Sequence, residues 1–122
     1  MAQRGEMWWA VLDPVVGREM GGHVEGEPRP VLVISTVEML PTQKVVVVPA
    51  TSRERVSSLR IPYSYQIGQR RGTGFLCCDD LRSIATERLQ GPLQTSRGGP
   101  PMRLPSQHLQ RVADVLRRIL AL

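Results

Sequence analysis

Two short aliphatic runs constrain the fold of this chain more than any other feature. Val31-Leu32-Val33-Ile34 follows Arg29-Pro30 and is closed by Ser35. Val45-Val46-Val47-Val48 follows Lys44 and leads into Pro49-Ala50-Thr51-Ser52. Successive side chains on a strand face opposite ways. A strand that is apolar at every position must therefore be covered on both faces, which points to a barrel or sandwich rather than a one-sided sheet. Each run also has a polar group at one end. Paired strands lie ~5 Å apart. If these two pair antiparallel, the start of one meets the end of the other, and Arg29 converges on Thr51. A guanidinium beside a hydroxyl suits a phosphodiester. Taken singly, each residue has a plainer use: Arg29 as a surface partner of Glu25 or Glu27, Thr51 as a turn-forming hydroxyl.

The rest of the chain reads as more short strands. Gly5 to Leu12 is the first, with Trp8 and Trp9 on opposite faces, one for the core and the other for an interface or a base. Residues 15–28 form a long Gly/Pro-rich polar loop. The aliphatic runs give strands at Pro30 to Ile34 and Lys44 to Val48, with a turn or short helix between. A polar loop follows over residues 51–58, and residues 59–63 make an edge strand because Pro62 lacks a donor. Residues 66–73 read as an arginine-bearing loop. Residues 74–79 form a strand that runs on through Leu81-Arg82-Ser83-Ile84 past a kink at Asp79-Asp80. A helical turn near Thr86 and a last strand at 89–93 complete the set. Residues 94–105 are a Pro/Gly-rich connector, expected to be flexible. Leu109, Val112, Ala113, Leu116, Ile119 and Leu120 recur at helical spacing behind Ser106 as N-cap. The expected fold is mainly β with one C-terminal helix: a small barrel of five to seven strands (1–93), the connector (94–105) and the helix (106–122), in a single domain.

Charge narrows the function classes. The 122 residues carry a net charge of +5, unevenly spread. Residues 1–52 hold four basic and six acidic side chains, whereas residues 53–122 hold twelve basic and five acidic. All basic residues but Lys44 are arginine, whose planar fork suits phosphate, although GC-rich codon usage also favours it. Nucleic acid is the partner this charge suggests. No apolar run approaches the ~18 residues of a membrane span, and the N-terminus lacks a signal peptide's apolar stretch, so a cytoplasmic protein is expected. Cys77 and Cys78 are adjacent and read as reduced thiols. With only two Cys and two His, no closed zinc site can be built from the usual ligands, and metal-free, cofactor-free chemistry is expected.

No phosphate-cradling loop, nucleophile elbow or zinc-ligand pair is present. A set of short motifs in order carries a resemblance instead: Gly5-Glu6-x-Trp8-Trp9, Leu12-Asp13-Pro14-x-x-Gly17-x-Glu19, Gly21-Gly22, Arg29-Pro30 with the first aliphatic run, Val48-Pro49-Ala50-Thr51-Ser52, and Asp80-Leu81-Arg82-Ser83-Ile84. The chain resembles the MazF/PemK toxins, bacterial endoribonucleases of type II toxin–antitoxin systems, over roughly residues 4–90. The resemblance implies an SH3-like or CcdB-like barrel in a homodimer. It implies metal-independent, sequence-specific cleavage of single-stranded RNA, chiefly mRNA, and a cognate MazE-like antitoxin whose acidic tail occupies the RNA groove. The family's arginine falls on Arg29, its threonine on Thr51 and its loop glutamate on Glu19, the candidate base.

Around these three, Ser52, Arg53, Arg55, Arg70 and Arg71 are candidate substrate contacts. His23 is included because an imidazole titrates nearer neutrality than a carboxylate. Asp80 and Arg82 are included as a pair that tunes charge near phosphate. The sequence departs from the family pattern at Met20 and Asp80, each where glutamine is usual, and in the six residues His23 to Pro28 that lengthen the loop before Arg29. Two other readings fit the same barrel: a non-catalytic CcdB-like toxin that binds DNA gyrase, and an inactive RNA-binding barrel.

Overall fold

The two aliphatic runs do pair. The computed structural model describes residues 1–13, 21, 26–54 and 57–122. Among the described residues, strands β1 (Met7–Ala10), β2 (Arg29–Val33), β3 (Lys44–Thr51), β4 (Arg60–Ile67), β5 (Arg70–Cys77), β6 (Arg82–Ala85) and β7 (Leu89–Pro92) precede one α-helix, α1 (Ser106–Leu120). All pairings are antiparallel. The order is β4-β5-β3-β2-β1-β7, with β6 also on β3. The mainly β fold with one C-terminal helix is as expected, and among the described residues β4 and β7 do not pair with each other, so the seven-stranded sheet stays open.

Strand β3 is the hub. One edge pairs with β2, with Val31 opposite Pro49, Leu32 opposite Val48 and Val33 opposite Val47. The other edge is shared end to end, by β6 along Lys44 to Val47 and by β5 at Ala50 and Thr51. This explains why β3 runs through Pro49 instead of stopping at Val48. Bonding directions alternate along a strand, and Val46 faces β2, its carbonyl accepting from Ile34 N at 3.0 Å. Pro49 therefore faces the other edge, in the gap between β6 and β5, where no ladder needs the N–H it lacks.

Both faces of the sheet are covered, as consecutive apolar positions require. On one face Met7, Leu32, Val48, Ala50, Ile61 and Leu76 pack with Val112 and Val115 of α1. On the other, Val31, Val33, Val45, Val47 and Ile84 pack with Ala10 and Leu12. Full burial of each Val, Leu, Ile or Met side chain among these contributes about 1.5–3 kcal/mol.

Three local expectations change. Residues 66–73 are no loop: β4 runs to Ile67, and Gly68-Gln69 forms a two-residue hairpin turn in which Gly68 supplies the positive φ of 59°. Pro62 is tolerated because β4 is a terminal strand. The 94–105 connector is pinned rather than loose. Met7 N donates to Met102 O (2.9 Å), Leu104 N to Gly5 O (3.0 Å) and Gln94 Nε2 to Gly99 O (2.6 Å). Lastly, Pro105 and not Ser106 occupies the cap of α1, with no side-chain cap bond; its carbonyl accepts from His108 N at 3.0 Å. The kink near Asp80 is a 3₁₀ turn, Cys78–Asp80, and a second such turn covers Thr86–Arg88, as expected.

Candidate functional site

Extended two residues past Val31–Pro49, the β2–β3 register sets Arg29 opposite Thr51. Both line one groove of about 390 Å³ at this end of the sheet, with Trp9, Ser52, Arg53, Tyr63, Tyr65, Ile67 and Arg70. Arg29 Nε donates to Gly21 O, which fixes the plane of the guanidinium. An anion in the groove can then be met only through Nη1 and Nη2. Thr51 is nearly buried, at 7% exposure. Its Oγ1 accepts from Arg53 N at 3.2 Å, so the hydroxyl proton is what it can offer a ligand. Arg29, Arg53 and Arg70 stand against one groove-lining carboxylate among the described residues, Glu27. The groove is thus a basic concavity with a buried hydroxyl in its wall.

The remaining candidates separate clearly. Ser52, Arg53 and Arg70 lie in the groove. Arg71, Asp80 and Arg82 are not among its lining residues. Arg71 pairs with Gln66 on the hairpin, facing away from the side that Arg70 serves. Asp80 sits in the 3₁₀ turn after β5 and is engaged there. Arg82 Nη1 reaches Leu12 O at 3.5 Å, beside Arg88, which donates to Val11 O and Asp13 O at 3.0 and 2.6 Å. These two arginines hold the end of the segment that follows β1. Glu19, His23 and Arg55 lie outside the described residues. The sequence reading missed Tyr65 and Ile67 because it ended this strand at Tyr63. The alternation Tyr63-Ser64-Tyr65-Gln66-Ile67 was the available signal.

Of the two tryptophans, Trp9 borders the basic groove and Trp8 lies on the other face, its Nε1 donating to Glu6 Oε1 at 3.1 Å. Neither is fully buried. Trp8 joins Val37, Met39, Leu40, Val45 and Leu89 around a second groove of about 660 Å³. It is larger but mainly apolar, and brings together no acid–base pair.

Thiol chemistry does not suit this fold. Cys77 and Cys78 are free and fully buried, and burial pushes their pKa values up to about 12 and about 11. At neutral pH neither supplies a thiolate. Among the described residues, no group of three or more His, Cys, Asp or Glu is placed to hold a metal ion. No described helix is long and apolar enough to cross a membrane.

Comparison with known proteins places this arrangement. No curated protein sequence matches the chain. Solved structures do. MazF from Deinococcus radiodurans (Form-I) superposes with a TM-score of 0.77 at 23% identity, covering 99% of this chain and 97% of that one. An endoribonuclease in complex with its cognate antitoxin, from a mycobacterial species, gives 0.71 at 16% identity, covering 100% and 97%. The MazE–MazF complex (Form-II) from Deinococcus radiodurans gives 0.71 at 20% identity, covering 99% and 96%. At these identities the likeness is one of fold. The family model described as PemK-like, MazF-like toxin of type II toxin–antitoxin system matches residues 3–120, nearly the whole sequence. The chain therefore belongs to the MazF/PemK toxins of type II toxin–antitoxin systems.

Proposed function

We propose that this toxin is a metal-independent endoribonuclease that cleaves single-stranded RNA, chiefly mRNA in the cytoplasm, at a short sequence. The observation that carries the reading is the convergence of Arg29 and Thr51 in one basic groove. In the proposed reaction the ribose 2′-oxygen attacks the adjacent phosphorus and the bond to the 5′-oxygen breaks. The 2′-hydroxyl proton passes to a base, for which Glu19 is the candidate, and the departing 5′-oxygen takes up a proton. The products are a 2′,3′-cyclic phosphate and a 5′-hydroxyl, and DNA, without the 2′-hydroxyl, is not cut. Arg29 stabilises the charge gathering on the non-bridging oxygens, the largest single contribution expected. Thr51 donates its hydroxyl to one of them. Arg53 and Arg70 hold flanking phosphates.

The partners follow from the family and from the second face. The similar solved structures include an endoribonuclease with its cognate antitoxin and a MazE–MazF complex. The basic groove suits an acidic antitoxin segment that competes with RNA. The apolar groove around Trp8 and Leu40 suits a second copy of this chain, with Val37, 72% exposed, at its rim. Val37→Asp is expected to shift a dimer to monomer in sedimentation; an unchanged dimer would place the interface elsewhere.

The test of activity is direct. Purified protein is incubated with a long single-stranded RNA in EDTA and the ends are mapped. Discrete cuts with cyclic phosphate ends, lost in Arg29→Ala, support the reading; intact RNA at stoichiometric protein overturns it. A second reading, a CcdB-like toxin that binds DNA gyrase without cleaving RNA, draws on the end of α1. Ile119, Leu120 and Leu122 are exposed there instead of packed. Inhibition of gyrase supercoiling with RNA left intact would favour it.

A further inference from the structure

The groove has an aromatic wall that the phosphate chemistry does not use. Along β4, Ile61, Tyr63, Tyr65 and Ile67 occupy alternate positions and share one face. Ile61 and Tyr63 are buried, whereas Tyr65 and Ile67 are half-buried where the hairpin extends past the core. Opposite each tyrosine on β5 stands a glycine, with Tyr63 paired to Gly74 and Tyr65 to Gly72. A Cβ on Gly72 would meet Tyr65 Oη at 2.6 Å and Cζ at 2.8 Å, and a Cβ on Gly74 would meet Tyr63 Cε1 at 2.6 Å. Both rings therefore extend across the neighbouring strand into space that only glycine leaves. The ring centroids are 6.3 Å apart, tilted by 51°. Two glycines weaken a strand of eight residues unless something uses the space they leave. Here that space sets two aromatic rings low in the groove wall, in the same groove as Arg29 and Arg70.

Resting on the reading of the groove as an RNA site, we propose that Tyr65, backed by Tyr63 and seated on Gly72, is the stacking platform for one base adjacent to the scissile phosphate. Phosphates fixed at Arg29 and at Arg70 would place the nucleotide between them against this wall, and every base has a π-face to stack there. Tyr65 is thus a positioning residue: it holds the strand so that the phosphate meets Arg29, and it takes no proton. The competing account is that the tyrosines merely cover bare glycines on an edge hairpin and serve stability alone.

The two accounts separate in a cycle of protein and substrate changes. Cleavage of an oligoribonucleotide with one cut site is compared with versions carrying an abasic nucleotide at each position beside the cut, using wild type, Tyr65→Phe and Tyr65→Leu. Leucine keeps apolar cover over Gly72 but no ring. One abasic position is expected to lower kcat/KM by roughly 5- to 150-fold for wild type and Tyr65→Phe, as loss of one stacked base should. The same position should have almost no effect in Tyr65→Leu. An equal abasic penalty in all three proteins overturns the proposal. A second readout does not require cleavage: 2-aminopurine placed at that position in a 2′-deoxy-blocked oligonucleotide should be quenched by wild type and Tyr65→Phe but not by Tyr65→Leu. Quenching without cleavage would retain the platform and remove the nuclease reading. Cleavage without quenching at any labelled position would do the reverse.

Discussion

Replacing Arg29 by lysine tests the proposed chemistry more sharply than replacing it by alanine. The guanidinium has separate tasks for its nitrogens: Nε is held by Gly21 O, and the two Nη groups are left to meet a phosphate. Lysine has one ammonium on a flexible stem, so it keeps the charge but cannot hold Gly21 O and span two oxygens together. Loss of one preorganised donor to a developing oxyanion lowers kcat by about 10²–10³, or about 2.7–4 kcal/mol. Arg29→Lys should therefore lose that much in single-turnover cleavage. Its binding should retain the salt dependence of wild type, because the number of phosphate charges neutralised is unchanged. Arg29→Ala should lose as much in rate and also flatten the slope of log K against log salt by about 0.7. A lysine variant within about tenfold of wild type would refute the reasoning, since a point charge would then suffice.

Glu6 is buried and accepts from Gln3 N at 2.7 Å and Trp8 Nε1 at 3.1 Å, with Arg103 Nη2 at 3.6 Å. Glu6→Ala should destabilise by about 2–3 kcal/mol through the two hydrogen bonds and under ~1 kcal/mol through the half-exposed arginine, read from urea unfolding. Glu6→Gln, which keeps one acceptor oxygen, should lose about 1 kcal/mol. Gly74→Ala should lose about 1–3 kcal/mol because the Tyr63 ring it meets is buried, whereas Gly72→Ala should lose less because Tyr65 can swing outward; equal losses would contradict the packing described. Burial raises the pKa values of Cys77 and Cys78 from an ordinary 9.0 to about 12 and about 11, and that of Tyr63 upward from 10.0. The native state thus holds these protons more tightly than the unfolded chain. Their contribution is intact below pH 9 and is lost as pH rises through about 11–12, so urea midpoints should fall across that window and fall less in Cys77→Ala/Cys78→Ala.

The fold was legible where one physical rule dominated. Unbroken aliphatic runs required two covered faces, and β2 does pair antiparallel with β3, so that Arg29 and Thr51 line one groove. Legibility failed where a local signal met a non-local answer. Pro49 looked like a strand end, yet it lies in a gap between two partners that only the assembled sheet reveals. Gly68, Gly72 and the two arginines near them looked like a loop; Gly68 makes the turn, while Gly72 makes room for Tyr65 from across the sheet. The connector's composition suggested mobility, but its backbone groups bond to residues near the other end of the chain. Arg82 was read as a phosphate-side residue from its motif, and its bond to Leu12 O depends on a fold that returns β6 beside the end of β1.

That return has a consequence for how the protein is made. Ribosomes release a chain in order, and β2 and β3 have each other as soon as residue 51 has emerged. Strand β1 does not have this advantage on both sides. Its second edge waits for β7, and its flank at Gly5 to Met7 waits for Met102 to Leu104. The earliest of the seven described strands is among the last to be fully paired. A nascent chain cut short before about residue 92 would leave one edge of β1, and Trp9 at the wall of the basic groove, unpaired on that side, and one cut before about residue 104 would leave Gly5 to Met7 without the bonds from Met102 and Leu104. An mRNA whose translation is interrupted late would accordingly yield an incomplete groove rather than a trimmed version of the finished one.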